Sequence, residues 1–240
     1  MRKFLIVIGV LFIILAVLTE IVLPQILTGM LKEKISQLTY SQEVDLSIDS
    51  SPRFLITTGQ VDEIHGEVVN GRIGELETTD LRLNGEQIKV DMPMLLFGDK
   101  KDENGRTRRV EDYLKSVGKV EMIGVISEEN LKKFLEQKVA GKLENLQLKI
   151  TPEEINATAN VMIMNRNADL ELSGLIIADE GDLYFRMTKL NARAPLLRHV
   201  QLDRFFGDIK IASADKLPLN LKFENVELQE GQAILTAIRN

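Results

Sequence analysis

The chain has 240 residues, 44 % of them apolar but only 5 % aromatic, with no Cys, no Trp and two His, His65 and His199. The missing Cys excludes disulfides, thiolate metal sites, a cysteine nucleophile and a lipid-modified cysteine, and two His leave little for an imidazole-based metal cage or catalytic unit. Lys and Arg number 30 against 36 Asp and Glu, a net charge of −6, which argues against nucleic acid as a partner.

Arg2 and Lys3 precede Phe4–Leu18, fifteen residues without a polar side chain. As a helix those fifteen span roughly 22 Å, short of the ~30 Å hydrocarbon core. Carried past Thr19 and Glu20 through Leu23, the segment is about long enough to cross, and its positive pair stays cytoplasmic. Residues 1–23 are therefore expected to be a signal-anchor or signal peptide, a transmembrane helix that places residues 24–240 on the extracytoplasmic (periplasmic or cell-wall) side of a cell membrane. Ala16 and Leu18 do not supply the small pair of a cleavage site, which favours the uncleaved anchor over a cleaved signal. Without Arg2, Lys3 and Glu20 the remainder keeps 28 cationic and 35 anionic side chains, a net of −7. Such a domain cannot rely on general attraction to anionic headgroups, so any affinity for lipid must come from shape and apolar surface.

Pro24 sets up a helix start, and Leu27, Leu31, Ile35 and Leu38 share one face. From Val44 the period falls to two, with Val44, Leu46 and Ile48 alternating with polar residues. Extended stretches are predicted over Phe54–Thr58, Val61–Val69, Arg72–Thr78, Asp80–Leu83 and Gln87–Met92, with turns at Gly59, Asn70-Gly71 and Asn84-Gly85. Residues 98–109 read as a polar loop. Its Arg106, Arg108 and Arg109 are candidate contacts for a headgroup phosphate, although acids on both sides also suit a plain solvated loop. After a strand near Lys119–Val125 a second helix is expected from Ser127, a good N-cap, with Glu128 and Glu129 at the positive end of its dipole. Leu131, Phe134, Leu135, Val139 and Leu143 form its apolar stripe.

Alternation returns at Leu146, Leu148 and Ile150 and continues through Ile155–Ile163, Leu170–Ile177, Leu183–Met187, Leu219–Phe223 and Ala233–Ala237, with a turn at Gln229-Glu230-Gly231-Gln232. Strands and two helices without a βαβ rhythm indicate α+β, helices packed on one face of a curved antiparallel sheet. No low-complexity linker divides residues 24–240, which read as a single domain with residues 98–109 as the sole candidate hinge.

The search for chemistry returns few candidates. There is no Gly-x-Ser-x-Gly elbow, phosphate loop or dinucleotide fingerprint. Glu63, His65 and Glu67 share one face of a strand opposite Ile64, the pattern of a wet strand face more than of a catalytic site. His199 neighbours Arg198 rather than an acid, a poor setting for a general base. The Asn156-Ala157-Thr158 sequon falls inside an alternating run. Pro195–Phe206 mixes apolar residues with Arg198 and Arg204, as either a helix docked on the sheet or an amphipathic lip at a membrane.

The order of an apolar N-terminus, a Leu-spaced helix and Ser51-Pro52-Arg53-Phe54-Leu55-Ile56-Thr57-Thr58-Gly59-Gln60-Val61-Asp62-Glu63-Ile64 resembles the LmeA family of bacterial phospholipid-binding envelope proteins, with Arg53 interposed between Pro52 and Phe54. Ile88-Lys89-Val90-Asp91-Met92-Pro93, the Ser127–Leu143 helix, Leu170-Glu171-Leu172-Ser173-Gly174 and Leu217-Pro218-Leu219 fit as well. The resemblance covers residues 20–238. It implies a non-enzymatic protein without cofactor or metal, with an elongated fold similar to tubular lipid-binding domains. There a strongly curved antiparallel sheet wraps around two amphipathic helices and an apolar groove.

An aliphatic, Met-containing interior suits disordered acyl chains as well as an ordinary dry core, and the resemblance makes a phospholipid or related lipid the expected partner, bound in that groove and able to transfer through it, with the membrane engaged through residues 4–23. Leu27, Leu31, Ile35, Phe54, Leu55, Leu131, Phe134, Leu135 and Val139 are the candidate groove residues. The alternative is a structural or adaptor envelope protein with a filled core that docks a partner protein. A hydrolase is the third reading, and it lacks a nucleophile–base unit.

Overall fold

The computed structural model describes residues 23–99, 101, 105–106, 108–138, 144–163, 166–193 and 208–239. The expected anchor, the Pro195–Phe206 segment with His199, Val139 and Leu143 lie outside the described residues. The described chain is largely antiparallel β with a few helices, as expected for α+β. It clusters into two compact units. Unit 1 comprises residues 1–67, 83–120 and 240, and unit 2 residues 68–82 and 121–239.

Unit 1 begins with helix α1 (Leu23–Thr39). A short turn returns the chain into strand β1 (Glu43–Asp49), and the Lys32 ammonium reaches Asp45 at 3.7 Å, so α1 and β1 run antiparallel. Strand β2 (Gln60–Val69) follows, and Asp62 of β2 accepts from the amide of Ser51 at 2.7 Å while Gly66 lies under Leu46. Strand β5 (Asp80–Val90) is the next neighbour. The Val90 amide donates to the Gly59 carbonyl at 2.7 Å and His65 meets Asn84, one antiparallel register throughout. The short strand β6 (Leu114–Ser116) pairs with the end of β5. Burial follows from this layering, because Leu27, Leu46, Ile56, Val61, Ile64 and Ile88 form one cluster between α1 and the strands. Full burial of each such side chain stabilises by about 1.5–3 kcal/mol.

Two stretches differ from the sequence expectation. Phe54–Thr58, β-rich in composition, is a 3-10 turn over Arg53–Thr58. The Thr57 and Thr58 hydroxyls donate to the carbonyls of Phe54 and Leu55 at 2.7 and 2.8 Å, and Gly59 at φ 84° ends the turn. Local side-chain bonding of this kind competes with a strand ladder. Asn84-Gly85 is no hairpin turn either, since β5 runs through it unbroken. A Cβ on Gly85 would stand 2.8 Å from Ile88 Cδ1, a close approach that glycine eases inside a strand. Met92 leaves the strand and opens a six-residue helix, α2 (Met92–Phe97), capped by the Asp91 carboxylate accepting from the Met94 amide at 3.1 Å.

In unit 2 the small hairpin of β3 (Arg72–Ile73) and β4 (Leu76–Glu77) lies ahead of β7 (Val120–Ser127). Ser127 caps helix α3 (Glu128–Lys138), its Oγ accepting from the Asn130 amide at 3.2 Å. Glu128, expected to complement the dipole, also accepts from the Ile150 amide at 2.8 Å and pins the end of β8 (Glu144–Ile150). Then β9 (Ile155–Ile163), β10 (Arg166–Asp179), β11 (Asp182–Arg193) and β12 (Ile209–Ala212) complete a five-stranded sheet in the order β12-β11-β10-β9-β8. The last hairpin, β13 (Lys222–Gln229) and β14 (Gln232–Arg239), turns at Glu230-Gly231 as the sequence predicts. The predicted strand over Leu219–Phe223 begins only at Lys222, because Leu219 and Asn220 take left-handed φ of 59° and 55° in a 3-10 turn.

Gly59 tests the unit 1 arrangement. Its φ is 84°, and a Cβ there would sit 2.0 Å from the Val90 carbonyl oxygen. Gly59→Ala is expected to cost roughly 1–3 kcal/mol or more, read as a lower urea midpoint at unchanged m-value.

Candidate functional site

The expected groove residues fall into two groups. In unit 1, Leu27 is buried in the core cluster, and Leu31 and Ile35 continue its stripe but are only half-buried against it. Ile48, Leu95, Leu114 and Val117 are likewise half-buried along the cluster's edge. The result is an aliphatic seam beside α1 that is incompletely covered by protein. Leu55 is half-buried at the 3-10 turn, and Phe54 beside it is exposed.

In unit 2, Leu131, Phe134 and Leu135 have 0, 2 and 5 % of their surface exposed, on the face of α3 that packs on β8 and β4. Exposed pairs, Glu129–Lys133 at 2.8 Å and Lys132–Glu136 at 3.9 Å, hold the helix's outer face. Solvent-exposed pairs of this kind contribute little to stability.

Arg106, Arg108 and Arg109 lie in the segment that follows α2, among described residues of the loop. Arg108 donates from Nε to the Asp99 carbonyl at 3.0 Å, and the Arg109 amide donates to Asp112 Oδ2 at 2.8 Å. Arg106 and Arg109 are exposed and Arg108 half-buried. The same segment holds Asp99 and Asp112, so the cations stand in a mixed field.

Neither His65 nor Asp182 is arranged for catalysis. His65 is exposed on β2 beside Glu63 and Glu67, the wet face expected. Its Nδ1 lies 3.0 Å from Asn84 Oδ1 and its Nε2 3.4 Å from Glu63 Oε2. Two acceptors flanking one ring favour the doubly protonated imidazolium, so its pKa is raised, first by Asn84 and then by Glu63. Asp182, at the start of β11, is lowered by Lys210, by the Ala214 amide at 2.8 Å and by the Ser213 hydroxyl at 3.2 Å. That carboxylate ties β12 and the following turn to β11. Among the described residues no group of three or more His or acidic side chains is placed to share a metal ion. None of the described helices is long and apolar enough to cross a membrane.

The decisive comparison is with protein families. The model of the LmeA-like phospholipid-binding family matches residues 18–238. The chain belongs to that family. LmeA-like proteins are grouped by phospholipid binding, not by a catalysed reaction. No curated protein and no solved structure matches the chain. What sequence reasoning missed is α2: the predicted extended run Gln87–Met92 ends on its first residue, residues 93–97 carry no expectation, and the Asp91 cap with Pro93 in the first turn is the signal that marks the helix.

The His65 cluster yields a pH test. A raised pKa means that its stabilising contacts are fully present below the unfolded value of 6.5 and are lost as pH rises through the folded value. In an NMR titration the His65 ring should titrate above 6.5. His65→Gln should then match the parent chain in stability at alkaline pH, fall slightly below it in acid, and bind lipid equally at both.

Proposed function

We propose that this LmeA-like chain is a non-enzymatic lipid carrier of a cell envelope, held to a membrane by residues 4–23 with the rest on the extracytoplasmic side. A curved sheet wrapping α1 and α3 in the manner of tubular lipid-binding domains is part of this reading. The observation that carries it, beyond family membership, is the half-covered aliphatic seam beside α1, where Leu31 and Ile35 leave Leu27's core cluster partly open. An acyl chain gains about 0.8 kcal/mol for each CH₂ it withdraws from water. A basic residue near an anionic surface is worth about 1 kcal/mol, so with a net of −7 on residues 24–240 the seam outweighs the charges as a source of affinity. Leu27, Leu31, Ile35 and Leu55 would line the acyl chain, and Arg106, Arg108 and Arg109 would meet its phosphate. Leu131, Phe134, Leu135 and Val139 would form a second lining if α3 lifts from its strands. The present burial of Leu131, Phe134 and Leu135 is also what an adaptor with a filled core would show.

Native mass spectrometry of residues 24–240 purified from cells tests the reading. Co-purified phospholipid is expected. A lipid-free protein that also takes up none from vesicles would overturn it in favour of the adaptor. Because Leu31 and Ile35 are half-exposed, Leu31→Asp with Ile35→Asp should leave the circular dichroism unchanged. Placing carboxylates along the acyl path should lower lipid occupancy roughly tenfold or more.

A further inference from the structure

The end of unit 1 from which α1 starts carries apolar side chains that stand exposed among the described residues. Ile26 and Met30 lie one turn apart on the outer side of α1, Phe54 caps the 3-10 turn with 51 % of its surface exposed, and Leu96 and Phe97 end α2, Phe97 with 87 % exposed. Topology brings these three elements together. The antiparallel pairing of α1 with β1, β1 with β2 and β2 with β5 sets the start of α1, the 3-10 turn and α2 at one end of the strands. Leu27, Ile56 and Met92, one from each, share the core cluster. Gly59 fits against both the Val90 carbonyl and Met92 Cγ, which fastens the turn to the root of α2.

Charge is arranged around this tip and excluded from it. Residues 23–31 of α1 and all of α2 carry no ionisable side chain. Cations at its edge are Arg53, immediately before Phe54, Lys32 after the charge-free start of α1, Lys115, paired with the Asp91 cap at 3.4 Å, and Lys101 and Arg108, the last held to the Asp99 carbonyl two residues beyond Phe97. Asp99 is the one acid among the described residues of that stretch from Met92 to Lys101 other than the Asp91 cap that precedes it. An apolar centre with a basic fringe matches the boundary between acyl chains and phosphate headgroups. The chain entering α1 is the run of residues 4–22, apolar but for Thr19 and Glu20, so the tip lies where a membrane segment would deliver it.

We propose that this end of unit 1 docks on a phospholipid bilayer, with Phe54, Leu96 and Phe97 inserted to the depth of the headgroup–acyl boundary and Arg53 and Arg108 at the phosphates. The inference rests on residues 4–22 being an anchor and deepens the lipid-binding reading, because it places the seam beside α1 against the surface that supplies the lipid. Tyr40, 77 % exposed, is at the other end of α1 and stays in water.

The absence of native Trp makes each position readable. Phe97→Trp, Phe54→Trp and Tyr40→Trp are made separately in the full chain and reconstituted in phosphatidylcholine–phosphatidylglycerol vesicles whose acyl chains carry bromine. Emission from Trp at 97 and 54 is expected to shift to shorter wavelength and to be quenched several-fold more than from position 40, with quenching that grows with the brominated fraction of the bilayer. Quenching complete at one brominated lipid per protein reports a bound ligand instead and overturns docking. So does equal quenching at 97 and 40, or a chain that fails to float with vesicles. If native mass spectrometry finds no lipid while position 97 is still quenched by the bilayer, the carrier reading fails and the docking surface stands.

Discussion

The hydrogen bond from the Val90 amide to the Gly59 carbonyl, 2.7 Å long, forces three separate chain segments to one end of unit 1. It sets the β2–β5 register, and through it the 3-10 turn before β2 and the helix after β5 become neighbours. Only glycine serves at that corner, because a left-handed φ and contact with the Val90 carbonyl leave no space for a Cβ. The seam beside α1 and the exposed tip both follow from it. A slip of one residue would send Val61 and Ile88 outward and dissolve the cluster on which α1 rests.

The two helices show how the same aliphatic pattern serves different ends. α3 lays Leu131, Phe134 and Leu135 flat on strands and closes over them, with ion pairs fixing its outer side. α1 buries Leu27 and then leaves Leu31 and Ile35 half-covered. A stripe at spacings of three and four identifies each helix face equally well, but how much of the face is covered depends on what the opposing strands supply. That difference separates a stabilising element from a candidate lipid surface, and it is a tertiary property.

Much of the architecture was legible in the residues themselves. Alternation located β1, β8 and β14, Ser127 marked the start of α3, and Gly231 marked the final turn. The misreadings have a common cause. Phe-Leu-Ile-Thr-Thr carries strong β-propensity, yet Thr57 and Thr58 bond to their own turn. Asn84-Gly85 has hairpin composition, yet β5 runs straight through it with Ile88 packed close to Gly85. In both places the contacts lie three residues apart in the chain, and neither alternation nor propensity encodes them. For the site, the Leu27–Leu31–Ile35 stripe and the arginines were visible from spacing and composition. The exposed Leu96 and Phe97 were not, because their helix is too short to show a period.

Residues 68–82 belong to unit 2 although unit 1 surrounds them in sequence. This has a consequence for how the chain matures. During synthesis Ile73, Leu76 and Leu81, all buried in the finished protein, emerge well before the residues 121–239 that complete their unit. Unit 1, by contrast, has all but one of its residues once position 120 has appeared. Unit 1 therefore has its sequence before unit 2 does, and until the second half is made the β3–β4 hairpin lacks the residues of its own unit that bury it.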